Sequence, residues 1–456
     1  MPRPRRALLW LFAVLALGCR VRAPAAGVPA APWSVVPIGL CEDYPEETRS
    51  MDEVRRDIAL MTSAGVGVLR VSIGWDGLEP SRGHYDLEFW DAFFAAMSSA
   101  GIRVIPYIAY TPRWASSSTG QDFWRYPPAD LDAFAATVGM LARRYRGRVT
   151  SWEIWNEPDN RDYWRGSVAQ FAALLRAGAR AVRAVDPAAQ VVFGGVAGHP
   201  AFAAEVMARP ELADAAGSVG VINAHAYFET WNPEPIESLP RYVQAFAPVL
   251  AHGARSLWLA EMGYSNYRQG PLVSGDVRAR FDYEHTLAFQ AVALVRTVTL
   301  ALSRPEVSLL AWYEMKDPAP GAPMIGDDNN RHLGVAFSDW RPKPALAALA
   351  LVQRLFGHGF RRLDDALRAR RDPGSRAEVH AFLTPGGQAL VIAWIPTVGG
   401  TGAAEHLSVT LAGLTATGAA HGWDAEGRPR PARLDSLELA AGDVAVVAVP
   451  VSADRP

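Results

Sequence analysis

The sequence predicts an α/β protein: a (β/α)8 TIM barrel followed by a small antiparallel β-sandwich-like domain. Three observations lead there. Short apolar runs begin at Val35, Val66, Ile102, Val149, Gln190, Val219, Ser256 and Val307. Between them lie segments of helical period, such as Met51, Val54, Ile58 and Met61, or Phe171, Leu174, Gly178, Val182 and Val185. After Gly357 the rhythm changes to alternation, at Glu378 to Leu383, Ala389 to Ile395, Leu407 to Leu411 and Val444 to Val449. Runs that are apolar almost throughout suit parallel strands covered on both faces. Eight strand–helix units suit a closed barrel better than an open sheet, with Pro344 to Phe356 as the closing helix.

The predicted domains are a signal segment and linker over 1–32, the barrel over 33–356 and the β domain over 357–456. Arg3, Arg5 and Arg6 precede an apolar run from Ala7 to Leu17, too short to span a bilayer as a mature helix. This reads as an export signal, placing the mature protein in the periplasm or outside the cell. Two cleavage readings stand side by side. Ala16-Leu17-Gly18-Cys19 is an imperfect lipoprotein box that would anchor Cys19 to a membrane, and small residues near Ala23 to Ala26 would release the chain. Either leaves Cys41 without a disulfide partner. Residues 20–32, rich in Ala and Pro, form the linker.

The chain has 456 residues, half of them hydrophobic and 20% charged, an ordinary globular composition. A net charge of −2 provides no basic field for nucleic acid. The only lysines are Lys316 and Lys343, so arginine carries nearly all the positive charge.

The chemistry lies where strands end. In a barrel of this kind the active site occupies the C-terminal ends of the strands. The fourth strand runs Ser151-Trp152-Glu153-Ile154-Trp155-Asn156-Glu157 and stops at Pro158; the seventh, Leu257 to Gly263, carries Glu261. Two carboxylates at the ends of separate parallel strands are what glycoside hydrolysis needs, one to protonate the leaving oxygen and one to attack the anomeric carbon. Glu157 fits the acid/base, with a pKa expected to be raised by an apolar wall, and Glu261 fits the nucleophile, which must stay ionised. Arg70 on strand 2 is a fitting partner for that carboxylate. On strand 6, His225 and Tyr227 share a face by the period of two and reach the same pocket. Asn156 is placed to bond the sugar 2-hydroxyl, and Trp312 and Trp75 are candidate sugar-binding aromatics, Trp312 as a flat floor. Singly, each has a plain packing explanation; their common position at strand ends is what gives them weight.

These residues carry a resemblance. Trp155-Asn156-Glu157-Pro158, His225-Ala226-Tyr227, Glu261 and Trp312 resemble clan A retaining glycoside hydrolases. The run Trp152 to Asp159, the segment Trp312-Tyr313-Glu314-Met315-Lys316-Asp317, Arg331 to Val335 and Arg341 to Ala345 are most similar to glycoside hydrolase family 39. That family includes β-xylosidases, α-L-iduronidases and exopolysaccharide endoglycosidases. The resemblance covers roughly residues 35–356. It implies double displacement through a covalent glycosyl-enzyme, with Glu157 as acid/base and Glu261 as nucleophile; a poly- or oligosaccharide substrate and no cofactor or metal are expected. A family 5-like endo-β-glucanase or mannanase shares most of these strand ends.

Two other classes compete. A metal-dependent hydrolase would want a His-x-His pair or a carboxylate–histidine cluster at strand ends; strand 6 has His225-Ala226-Tyr227 instead, and strand 1 has no His. A non-catalytic exported sugar-binding barrel would usually lack one carboxylate, and both are present. Trp75, Trp114, Trp124, Trp164, Trp231 and Trp312 fall in predicted strand-to-helix loops, as platforms along an extended groove would. Loop charges are mixed and single out no uronic acid. Asp327-Asp328-Asn329-Asn330 lacks calcium-loop spacing and reads as a solvated loop. In the β domain, expected to buttress the barrel, Trp394 and Trp423 are the only large aromatic candidates for binding sugar.

Overall fold

Eight apolar strands pair in parallel and close on themselves: β1 (Ile38–Glu42), β2 (Val68–Gly74), β3 (Arg103–Ala109), β4 (Ser151–Asn156), β5 (Gln190–Val196), β6 (Val219–Ala226), β7 (Ser256–Met262) and β8 (Val307–Trp312), with β8 returning to β1. The computed structural model describes residues 32–44, 48–251, 253–270, 272–273, 277–322, 326–400 and 402–453. The signal segment and Cys19 lie outside them.

Alternation along the strands sorts side chains into two populations. Those facing outward meet the helices: Leu69, Val71 and Ile73 of β2 share one core with Leu174, Leu175 and Val182 of the helix Val168–Val185 and with the helix Leu287–Leu302. Those facing inward form a plug of Cys41, Val68, Ile105, Val192, Val221, Trp258, Ala260, Leu309 and Ala311. The interior is therefore filled, as in other barrels of this class. Two residues further along several strands the plug gives way to polar groups, and the site starts there. Cys41 is a free, buried thiol whose Sγ donates to the Ala260 carbonyl at 3.0 Å.

The helices begin where sequence chemistry starts them. Ser167 and Gln170 form a reciprocal capping box at the helix Val168–Val185, and Asp130 caps Leu131–Arg144. The last helix spans Pro344–Phe356, with Pro at its first turn.

Two antiparallel sheets follow. One has the order Leu367–Arg371, Glu405–Leu411, Leu437–Leu439; the larger runs Pro429–Arg430, His421–Trp423, Ala445–Ala453, Gln388–Trp394, Glu378–Leu383, Arg361–Arg362. Parity again decides the packing. Val379, Ala381, Val391 and Val447 of the larger sheet pack on Leu407, Val409 and Leu437 of the smaller one. Phe382, Leu390, Ile392, Trp394 and Val446, on its other face, join the barrel's own core. Trp394, a candidate sugar platform by sequence, is wholly buried and donates to Glu237 at 2.7 Å. It wedges the sheet against the barrel instead. Arg296 crosses the same seam, donating to the Asp443 carbonyl at 2.7 Å and to Thr397 at 3.4 Å.

At this seam Glu229 is buried near Glu237, Glu284 and Arg296. Burial pushes its carboxyl up to about 8, and Glu237 adds to the shift. A raised carboxyl pKa means the folded state keeps a proton that the unfolded state releases. The stability it contributes is complete below the ordinary value of 4.5 and is lost as pH rises toward about 8. Glu229→Gln should therefore melt several degrees above wild type at about pH 8.5, with the gap closing toward about pH 4.5. Thermal melts of both proteins across that range check this.

Candidate active site

Above the apolar plug lies one charged knot. Arg70 of β2 is buried and donates from all three guanidinium nitrogens: Nε and Nη2 donate to the two Glu153 oxygens at 2.8 and 3.0 Å, Nη2 also to Asn156 Oδ1 at 2.8 Å, and Nη1 to Glu261 Oε2 at 2.6 Å. Its flat face lies 4.3 Å from the centre of the Tyr107 ring. Burial works against the cation, but Glu153 and then Glu261 outweigh it and hold the Arg70 pKa well above the usual range. Glu153, inside an otherwise apolar strand, also accepts from the Gly195 amide at 2.8 Å and Asn223 Nδ2 at 2.9 Å. Asn223 in turn accepts from the Ala260 amide at 2.9 Å, next to Glu261.

The next layer up holds the two sequence-predicted carboxylates. Tyr227 donates to Glu261 Oε1 at 2.7 Å, so both oxygens of this residue have a donor. His225 Nδ1 lies 2.8 Å from Glu157 Oε1 and 3.3 Å from Glu261 Oε1. Asn160 Nδ2 donates to Glu157 Oε2 at 2.8 Å. One ligating atom each from Glu157, His225 and Glu261 lie within 4.8 Å of one another, so the carboxylates stand side by side over the barrel mouth. Burial opposes protonation of His225, yet Glu261 and the bond to Glu157 raise its pKa above that of free imidazole. The same three groups could surround a cation. Arg70 and Tyr227 already engage both oxygens of Glu261, and a divalent ion there would face the guanidinium. The donor set fits a hydrogen-bonded carboxylate pair better than a metal.

β4 reaches this arrangement by departing from regular geometry. Strict alternation would send Asn156 and Glu157 to opposite faces. Trp155 has φ 75° and Glu157 φ 46°, both left-handed, so the chain swivels around Asn156 and presents both side chains to the cleft. Conformations of this kind cost on the order of 1–3 kcal/mol for a bulky residue. Here Trp155 is buried edge-on to Trp164, 5.0 Å between ring centres, and to Tyr110 at 5.6 Å, and the Glu157 amide donates to the Gly195 carbonyl at 2.9 Å. Gly195 is itself required. A Cβ there would sit 1.9 Å from His225 Nε2.

Arg70, Asn156, Glu157, His225, Tyr227 and Glu261 are thus brought together, while two predicted residues are not. Trp312 is only 1% exposed and belongs to the core, so it offers no floor for a sugar. Trp75 is fully buried, donates to Glu79 Oε2 at 2.6 Å and packs edge-on to Trp114 and Phe134. Of the loop tryptophans, Trp164 is buried too, Trp114 and Trp124 are half-buried, and Trp231 is open, at 37% exposure. Its ring centre lies 4.7 Å from that of Tyr227, and its Nε1 donates to Asp327 at 3.0 Å.

Sequence reasoning missed Glu153, Asn160, Asn223, Tyr110, Tyr313 and Asp43. Glu153 and Asn223 were visible as polar residues inside apolar strands; Asp43 lies just past β1 and gave no signal of its own.

Fold and site together define a retaining O-glycosyl hydrolase: a closed parallel barrel with two adjacent carboxylates at the C-terminal ends of β4 and β7. Residues 44–232 match the model of glycosyl hydrolases family 39. Among solved structures the chain is similar to a family 39 glycoside hydrolase from the gut symbiont Bacteroides cellulosilyticus WH2, at 19% identity over 91% of this chain and 81% of that one, with a TM-score of 0.67. It is also similar to a monomeric beta-xylosidase from Caulobacter crescentus CB15 (15% identity, 92% and 98% covered, TM-score 0.60) and to a glycoside hydrolase family 30 subfamily 8 xylanase from Clostridium acetobutylicum (14%, 91% and 96%, TM-score 0.58). At these identities the structural likeness is one of fold. The family-model match adds the sequence pattern from Tyr44 through the β4 and β6 strand ends. Over residues 44–232 the chain is thus similar to family 39, and it shares the fold of the glycoside hydrolases named above.

Two outcomes follow from the geometry. Gly195→Ala should drive the His225 ring off Glu157 and lower kcat/KM by about 100-fold or more, since small misplacements in such sites are costly; kinetics and the imidazole NMR signals check it. Arg70→Met should destabilise the fold by about 3–5 kcal/mol, because it leaves Glu153 and Glu261 as buried uncompensated charges. Urea unfolding measures this.

Proposed function

We propose that this protein is an exported glycosidase that cleaves a poly- or oligosaccharide by double displacement, with Glu261 as nucleophile and Glu157 as acid/base. The observation that carries the assignment is the different company the two adjacent carboxylates keep. Glu261 receives a guanidinium and a phenol, one on each oxygen, which hold it in place to attack an anomeric carbon. Glu157 receives an amide and an imidazole that are free to exchange partners as a proton moves.

In the first step the Glu157 proton passes to the glycosidic oxygen as Glu261 forms an ester with the anomeric carbon. In the second, Glu157 takes a proton from water, which attacks that carbon and frees Glu261. His225, bonded to one carboxylate and 3.3 Å from the other, stabilises whichever carries the charge. Asn156, aligned by Arg70, is placed to meet the sugar 2-hydroxyl. Support for export comes from the basic and apolar N-terminal pattern. Among the described residues no helix is long and apolar enough to cross a membrane.

Chemical rescue separates the two carboxylates. Glu261→Ala should form no glycosyl-enzyme on any substrate. Glu157→Ala should lose most turnover of natural sugars yet still react with aryl glycosides whose phenols leave without protonation, and azide should restore its second step. Rescue confined to Glu261→Ala would reverse the roles.

A further inference from the structure

A third carboxylate stands beside the pair. Asp43 follows β1 directly, at the same end of the barrel as Glu157 and Glu261, and is partly open to solvent. Tyr313 donates to its Oδ2 at 3.0 Å, and Tyr107 to its Oδ1 at 3.4 Å. Both rings belong to the site wall: Tyr107 lies under the Arg70 guanidinium, and Tyr313 meets Tyr227, with 6.3 Å between ring centres. Arg70 acts on Asp43 through space, but its donors go to Glu153, Asn156 and Glu261. Burial raises the Asp43 pKa and Glu261 raises it further, while the hydrogen bonds from Tyr313 and Tyr107 offset only part of the rise.

Each Asp43 oxygen accepts from one phenol and has a lone pair left over. Neither carboxylate role of a glycosidase needs this group, because Glu157 and Glu261 fill both. Fixed by two aromatic hydroxyls next to the proposed nucleophile, it is an acceptor pair aimed at a donor-bearing ligand. A sugar ring presents such donors as neighbouring hydroxyls. A sugar carboxylate would instead add a like charge to a wall that already contains Asp43, Glu157 and Glu261.

We infer that Asp43 is a specificity-determining residue: it accepts hydrogen bonds from hydroxyls of the sugar whose anomeric carbon faces Glu261, and it makes the site select uncharged glycones and reject uronic acids. The inference rests on the reading of the site given above and deepens it by naming the substrate class. Losing the negative charge should then do two opposite things. It weakens neutral substrates, whose hydroxyls lose a charged acceptor, and it relieves the repulsion felt by uronates.

The test is a screen of aryl glycosides and polysaccharides with neutral or uronate glycones, followed by kinetics on the best substrate and its uronate counterpart. The wild type is expected to prefer a neutral glycone. Asp43→Asn, which keeps the shape, should lower kcat/KM for that substrate by about 10- to 100-fold and narrow the neutral-to-uronate ratio by a similar factor. Tyr313→Phe, which keeps the charge and removes one orienting hydroxyl, should cause a smaller loss with the ratio largely kept. A wild type that works best on uronates would overturn the inference, as would a ratio unchanged in Asp43→Asn. Failure of the wild type to cleave anything in the screen would count against the glycosidase reading itself, and the inference would fall with it.

Discussion

The whole site hangs on a guanidinium buried inside the barrel. Removing such an ion from water costs several kcal/mol unless every donor finds a partner. Arg70 comes near that condition: each of its three guanidinium nitrogens donates, to Glu153, Asn156 and Glu261, contributed by β4 and β7. The three strands are thereby locked in relative height, and the two carboxylates inherit their positions from that lock. A lysine could not do the same, since one ammonium cannot satisfy a bidentate carboxylate and two further acceptors in a plane.

Layering explains why the polar knot is tolerated. Beneath it, Val68, Ile105, Val192, Val221 and Leu309 exclude water, so the Arg70–Glu153 pair rests on a dry floor where its electrostatics are strong. Above it, Glu157 and Glu261 are only slightly exposed and stay within reach of a ligand. The C-terminal sheets are fastened by Trp394 to Glu237, in the segment after β6, and by Arg296 to the helix Leu287–Leu302.

Much of this was legible in the chain. Apolar runs marked all eight barrel strands, because parallel strands buried on both faces leave little room for polar residues. Polar exceptions to that rule, Arg70, His225 and Tyr227, pointed to the cleft. Other features were hidden for physical reasons. An aromatic at a strand end is equally well used as packing, and for Trp312 and Trp75 packing is what the structure shows. Asp43 lies beyond its strand, where acidic residues are common and periodicity says nothing. Strands such as Arg361–Arg362 and Pro429–Arg430 are two residues long and polar, so they exist only through their neighbours' hydrogen bonds.

The swivel at Trp155 carries a lesson for anyone who would build such a site anew. An idealised barrel has strands without left-handed residues, and on such a scaffold adjacent positions diverge by half a turn. Grafting Asn156 and Glu157 onto it would yield one residue in the cavity and one among the helices, however good the sequence match. The irregular strand, together with the glycine that makes way for His225, is the part of the blueprint that must be copied as backbone rather than as side chains.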